Sequence, residues 1–200
     1  MPALYDMDVR RALFKTVLAG DVADKDTLIV EELGLRHGKV RIDIAVINGH
    51  THGFEIKSER DTLRRLDRQA QAYGAVLDQV TLVTAPKHLD KARAVVPEWW
   101  GIMQATSNAQ GDVVFNEVRE AGHNNDVDVM RLLELLWSNE ARQLLEDFGA
   151  ARGYRGKSRA KMYARLAEVA SLDELRDAIR RIIKTRRGWR DHLAPTLSGG

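Results

Sequence analysis

The sequence predicts an α/β chain, with helices packed around a mixed sheet and a lobe of helices alone after it. Three observations carry this. Apolar residues alternate over short runs at 27–35, 40–47 and 79–85, the period of half-buried or buried strands. Between them, residues 61–77 carry apolar positions at helical spacing. Beyond Asn125 no strand signal remains.

In chain order, a helix is expected over about 7–19, with Asp6 and Asp8 complementing its dipole and capping it. The strand at 27–35 (TLIVEELGL) brings Glu31 and Glu32, and alternation alone leaves either as the inward-facing acid. In the strand at 40–47, Val40, Ile42, Ile44 and Val46 share one face and Arg41, Asp43 and Ala45 the other. Asn48-Gly49 signals a hairpin turn. On the following strand Phe54 and Ile56 point to one side, while Glu55 and Lys57 share the other at roughly 7 Å spacing. One aspartate, one glutamate and one lysine thus converge on one polar spot.

Asp61 is an N-cap candidate for the helix at 61–77, where Leu63, Leu66, Ala70, Tyr73 and Leu77 form the apolar stripe. Gln69 and Tyr73, four apart, lie on one side of it. After the strand at 79–85 a helix is expected over 87–96, ended by Pro97. A strand then starts at Trp99, with VVFNEVREA as its antiparallel partner across a turn at Asn108–Asp112. The paired tryptophans suit base stacking, but aromatic burial favours a core role.

The helical lobe reads as 126–137, 139–148, 159–169 and a helix from the Ser171–Glu174 capping box to about 186. Charge separates the two parts. Residues 1–149 hold 18 Lys/Arg and 24 Asp/Glu, a balance of −6, whereas residues 150–190 hold 13 and 4, a balance of +9. Such clustering is the footprint of a polyphosphate partner, and Arg152, Arg155, Lys157 and Arg159 are the candidates to grip it. The expected division is 1–122, 123–190 and a disordered tail at 191–200.

Carboxylates are hard ligands suited to Mg²⁺ or Mn²⁺, and a neighbouring lysine can hold water or offset developing negative charge. With Asp43 on one strand and Glu55-Ile56-Lys57 on the next, the chain resembles the PD-(D/E)XK nuclease superfamily. Gln69-x-x-x-Tyr73 directly after it resembles the RecB-like branch, in a bacterial or phage member. The resemblance implies a restriction-endonuclease-like αβββαβ core across about residues 7–85 and a metal-dependent nuclease acting on DNA, or on RNA. It implies metal ligation by Asp43, Glu55 and the Ile56 carbonyl, with Glu32 as the added acid. It also implies Lys57 as the water-orienting cation, and Gln69 and Tyr73 facing the site. An inactive nuclease-fold adaptor that still binds nucleic acid is the alternative.

Arg41, Ser58 and Arg65 adjoin this spot and could steady a phosphate, although arginines on exposed strands and helices usually do nothing so specific. The plain reading of the triad is a surface salt-bridge cluster; that of Gln69 and Tyr73 is a helix–sheet hydrogen bond. His50 and His52 flank the turn and are expected to be solvated, with no zinc-like spacing. The chain has no cysteine, which excludes a disulfide framework and thiolate zinc sites. No signal-peptide pattern and no run of ~20 apolar residues appear, so a cytoplasmic protein without membrane contact is expected. A homo-oligomer, or a protein partner within a defence or mobile-element system, is the remaining partner class.

Overall fold

A computed structural model describes residues 4–186. Its centre is a six-stranded mixed sheet whose spatial order follows the chain: β1 (Leu28–Leu35), β2 (Val40–Asn48), β3 (His50–Lys57), β4 (Gln79–Thr84), β5 (Gly101–Ser107) and β6 (Val113–Arg119). The first three strands form an antiparallel meander, β3–β4 and β4–β5 pair in parallel, and β6 returns antiparallel to β5. Parallel neighbours require a crossover. Helix α3 (Leu66–Gly74) supplies the first, and a 3-10 turn at Pro86–His88 with α4 (Leu89–Arg93) supplies the second.

Helices cover both faces. On one, Val9 and Leu13 of α1 (Asp6–Lys15), with Leu18, pack on Ile44, Val46, Phe54, Ile56 and Val83; a short α2 (Ala19–Ala23) follows. On the other, α3 packs together with α5 (Val129–Leu133), α6 (Ser138–Asp147), α7 (Arg159–Val169) and α8 (Leu172–Thr185). Tyr73, Leu82, Trp100, Leu133, Leu166 and Ile179 all belong to this one apolar cluster. The lobe expected over 123–190 therefore shares its core with the sheet; its last residues and the tail expected at 191–200 lie outside the described residues. Each such side chain contributes roughly 1.5–3 kcal/mol through burial, which makes this continuous face the main source of stability. Trp100 is fully buried and stacked with Tyr73 at 5.9 Å, a core residue. No helix among the described residues is long and apolar enough to cross a membrane.

Several elements are shorter than the apolar periodicity predicts, each for a local reason. Asp61 does not cap α3: its carboxylate accepts from the Ser58 amide (2.8 Å) and hydroxyl (2.6 Å), closing a turn that delays the helix to Leu66. The helix expected at 126–137 contracts to Val129–Leu133 because Asp128 caps it, accepting from the amides of Met130 and Arg131. The expected 7–19 helix ends at Lys15, with Tyr5 in the cap position and Asp6 turned to Arg10. The strand expected at Trp99 begins at Gly101.

One departure creates the site. Val40 and Ile42 face the α3 side, but so do Ala45 and Ile47, while Ile44 and Val46 face α1. The uniform alternation expected along β2 is thus broken at Asp43. Opposite it Glu32 adopts φ +56°, and β1 changes face there too, with Val30 and then Leu33 and Leu35 on the α3 side. The β1–β2 ladder keeps its register on either side of this gap, and the β2–β3 ladder ends at Ile44–Phe54, one step short of Asp43 and Glu55. At the other end of that hairpin, Gly49 makes the turn with φ +67°, a conformation that suits glycine.

Candidate active site

Asp43 sits at the break in the β1–β2 ladder and just past the end of the β2–β3 ladder, and its side chain does the work of the missing backbone acceptor. Oδ2 accepts from the Ile56 amide at 2.7 Å, so the Ile56 N–H stays satisfied while the strands part. The gap opens into a cleft of about 360 Å³ lined by Glu32, Arg41, Asp43, Glu55, Ile56, Lys57, Arg65 and Gln69. Eight of the residues expected from the strands and α3 thus line one space.

Glu55 is 1% exposed and Lys57 5%. The Lys57 ammonium is in direct contact with Glu55 Oε1. From α3, Gln69 Nε2 donates to the same oxygen at 2.5 Å, and the Tyr73 hydroxyl lies 2.6 Å from Glu55 Oε2 and 2.5 Å from the Arg41 carbonyl. Having one proton, that hydroxyl donates to one of the two at a time. Four residues apart on α3, Gln69 and Tyr73 touch each other at 3.1 Å and together fix both oxygens of the glutamate. Gln69 Oε1 is buried with no partner among the described residues. An orphaned acceptor of this kind is uncommon in a folded protein.

Electrostatics single out Asp43. Burial, reinforced by Glu55, pushes the Asp43 carboxyl up to about 7, against the opposing pull of the Ile56 amide, Arg10 and Lys57. Burial and the Glu55 carboxylate raise the Tyr73 phenol well above its ordinary value, so it remains a donor. His52 is not solvated as expected. Its Nε2 lies 2.8 Å from Thr81 Oγ, its ring stacks on Phe54 at 4.3 Å, and burial with His50 beside it lowers its pKa to about 4. His50 is exposed.

Arg10 is the residue that sequence reasoning missed. From α1 it donates to the Asp43 carbonyl (2.9 Å) and lies 3.5 Å from Asp43 Oδ1, 3.2 Å from Glu31 and 3.6 Å from Glu32. Burial works against its charge, yet Asp6, Asp43 and Glu31 hold its pKa above the usual value. Nothing in the period of α1 distinguishes Arg10 from Arg11; only the packing of α1 over the strand gap does. Of the two candidate acids, Glu32 lines the cleft with its side chain half exposed, and Glu31 is the more enclosed partner of Arg10.

Of the expected phosphate contacts, Arg41 and Arg65 are exposed at the cleft, whereas Ser58 is buried and committed to Asp61. Arg152, Arg155 and Lys157 are exposed on the α6–α7 loop and do not line the cleft; Arg159 lines a neighbouring groove. No three His, Asp or Glu side chains among the described residues form a metal-ligand group by themselves.

Comparison with known proteins adds a lineage. Residues 3–193 match the family described as Bacteriophage P4 protein cII. The chain belongs to this family. Within it, Protein cII of Enterobacteria phage P4 is 28% identical over 183 residues, covering 92% of this chain and 68% of the relative. No solved structure matches. The match spans the sheet, the cleft and the helices of the lobe alike, so the cII family relationship extends beyond the strands that hold Asp43 and Glu55.

Proposed function

We propose that this cII-family chain is a metal-dependent nuclease, hydrolysing phosphodiester bonds in DNA, of the PD-(D/E)XK type and its RecB-like branch. The observation that carries the reading is the parting of two strands at Asp43 and Glu55, with Lys57 beside them and Gln69 and Tyr73 holding the glutamate from the next helix. The element order α1-α2-β1-β2-β3-α3-β4, with a parallel β3–β4 pair, supports a restriction-endonuclease-like core.

A divalent Mg²⁺ or Mn²⁺ suits the donors. The Glu55 carboxylate disfavours the charge of Asp43 in a buried cleft, an adverse interaction that a cation relieves. The orphaned Gln69 Oε1 in the same cleft offers an acceptor to water or to a ligand hydrogen. Asp43, Glu55 and the Ile56 carbonyl would hold the ion, with Glu32 as a further acid; solvent or phosphate oxygens would complete the shell. Bound there, the ion would supply Lewis acidity and an activated water.

The chain's own groups do the rest. Gln69 and Tyr73 fix the orientation of Glu55, so that its remaining lone pairs aim into the cleft. Lys57, with one of three N–H donors on Glu55, has two left to orient an attacking water and to offset charge on the phosphorus. Arg41 and Arg65, exposed at the rim, meet the flanking phosphates.

The test is purified protein with Mg²⁺ or Mn²⁺ and linear, circular, single-stranded and flapped DNA. Cleavage is expected, falling by roughly 10²–10³ or more in Asp43→Ala and Lys57→Ala. Activity that survives both changes would falsify the assignment. A non-cleaving nucleic-acid-binding module is the second reading, favoured by how fully Lys57, Gln69 and Tyr73 already occupy Glu55. Binding that persists in EDTA without hydrolysis under any metal selects it.

A further inference from the structure

The cleft at Asp43 does not end at the strand gap. Glu32, Gly38 and Arg41 line it and also line a second, larger groove of about 800 Å³ between the β1–β2 edge and the α5–α6 junction. Of the acids in that groove, Glu31 and Glu32 share Arg10 with Asp6 and Asp43, and Glu134 pairs with Arg131. Arg41 on the sheet side and Arg159 on the helical side are both exposed, and neither makes an ion pair with a carboxylate among the described residues. Two cations therefore face the groove from opposite walls.

Trp137 lies in the same groove. It is 50% exposed, an expensive position for the largest apolar side chain. The Arg186 guanidinium lies 4.6 Å from its ring centroid and is itself bound by Glu140 and the Leu135 carbonyl, while the Trp137 amide donates to Glu140 at 2.7 Å. A half-exposed indole sharing a groove with exposed guanidiniums, here Arg41 and Arg159, is the arrangement that single-stranded nucleic acid uses: backbone on the cations, a base face on the ring. A duplex keeps its base faces stacked on one another and offers an indole only phosphates and groove edges.

We infer that this groove seats a single-stranded nucleic-acid segment running into the Asp43 cleft, its phosphates between Arg41 and Arg159 and one base stacked on Trp137. The inference rests on the nuclease reading for what happens in the cleft, but the binding it requires stands apart from cleavage. In EDTA at low salt, the full chain should bind a labelled oligothymidylate of about 12 nucleotides more tightly than a duplex of equal length. Trp137→Ala should weaken single-strand binding about tenfold and Trp137→Phe much less, as expected of a stacking contact worth ~1–3 kcal/mol. Arg159→Gln, at an exposed position, should lower the slope of log K against log salt by about 0.7.

Equal affinity of Trp137→Ala and wild type for the single strand, preference for the duplex, or no binding of either probe overturns the inference. Melting curves establish that the variants fold, and Arg159→Gln keeps the test alive if Trp137→Ala does not. Cleavage with Mg²⁺ is scored separately. If DNA is cut in an Asp43-dependent way while Trp137 is immaterial, the groove assignment alone falls; if Trp137 governs binding and nothing is cut, the nuclease reading alone falls.

Discussion

Asp43 illustrates how one side chain carries both the fold and the proposed chemistry. Its carboxyl is raised to about 7, so in metal-free protein its contribution to stability is fully present below the unfolded value near 3.8 and is lost as pH rises through about 7. Replacing it with asparagine should therefore stabilise the metal-free protein at pH 8, by up to about 4 kcal/mol, while removing cleavage. Denaturant melts in EDTA at pH 4 and pH 8 check this; a gain that does not shrink toward pH 4 contradicts the stated cause. Tyr73→Phe tests the grip on Glu55. It removes the one donor that Glu55 Oε2 and the Arg41 carbonyl share, at a cost of about 1–3 kcal/mol, and should slow cleavage more than it weakens DNA binding. Equal losses in rate and in binding would point to a merely structural tyrosine. Alternation makes Asp43, Glu55 and Lys57 legible in the sequence. Arg10 was not, because a cation on a helix of ordinary period gains its role only from the three carboxylates that packing sets around it.

At the scale of elements, one attachment ties α8 to the sheet and another sits within the sheet. Asp78, buried after α3, accepts from the Thr51 amide (2.8 Å) and bridges Arg176 (3.1 Å) and Arg180 (3.0 Å) of α8. Asp78→Ala removes the buried partner of two largely buried guanidiniums, leaving Arg176 only the exposed Asp173 and Arg180 only the exposed Asp177, and should cost about 1–3 kcal/mol, measured by denaturant unfolding. A loss below 1 kcal/mol would show the triad to be dispensable. On β3, His52 is held neutral between Thr81 and Phe54. With its pKa lowered to about 4, its contribution is present above the ordinary value of 6.5 and lost as pH falls toward 4, by up to about 3 kcal/mol. That trend opposes the one from Asp43 over the same window. Relative to wild type, His52→Gln should thus fare better at pH 4 than at pH 7, and a difference independent of pH would remove burial of the imidazole as the cause. The two helix starts that periodicity placed too early, those of α3 and α5, share one physical origin: Asp61 and Asp128 engage nearby donors and override the apolar stripe locally.

For the whole molecule, the decisive fact is that sheet and helical lobe share one apolar cluster. A chain cut at residue 122 would expose Leu82, Trp100 and their neighbours to water, so it should not fold alone, and calorimetry of the full chain should give one transition. Two separable transitions would support independent domains as the charge division suggests. The same union forms the groove between the β1–β2 edge and the α5–α6 junction. It is here that the late excess of basic residues meets the earlier, acidic part of the chain.

The sequence by itself determined the α/β class, the order of the strands, the caps at Ser171 and the identities of the residues gathered at the cleft. These depend on period and on near neighbours, which a linear pattern records. Only the tertiary structure decided that β1 and β2 change face together at Glu32 and Asp43, that Arg10 holds that gap, and that the helical lobe closes over the sheet rather than standing apart. Each depends on contacts between residues distant in the chain, whose energies no local pattern encodes.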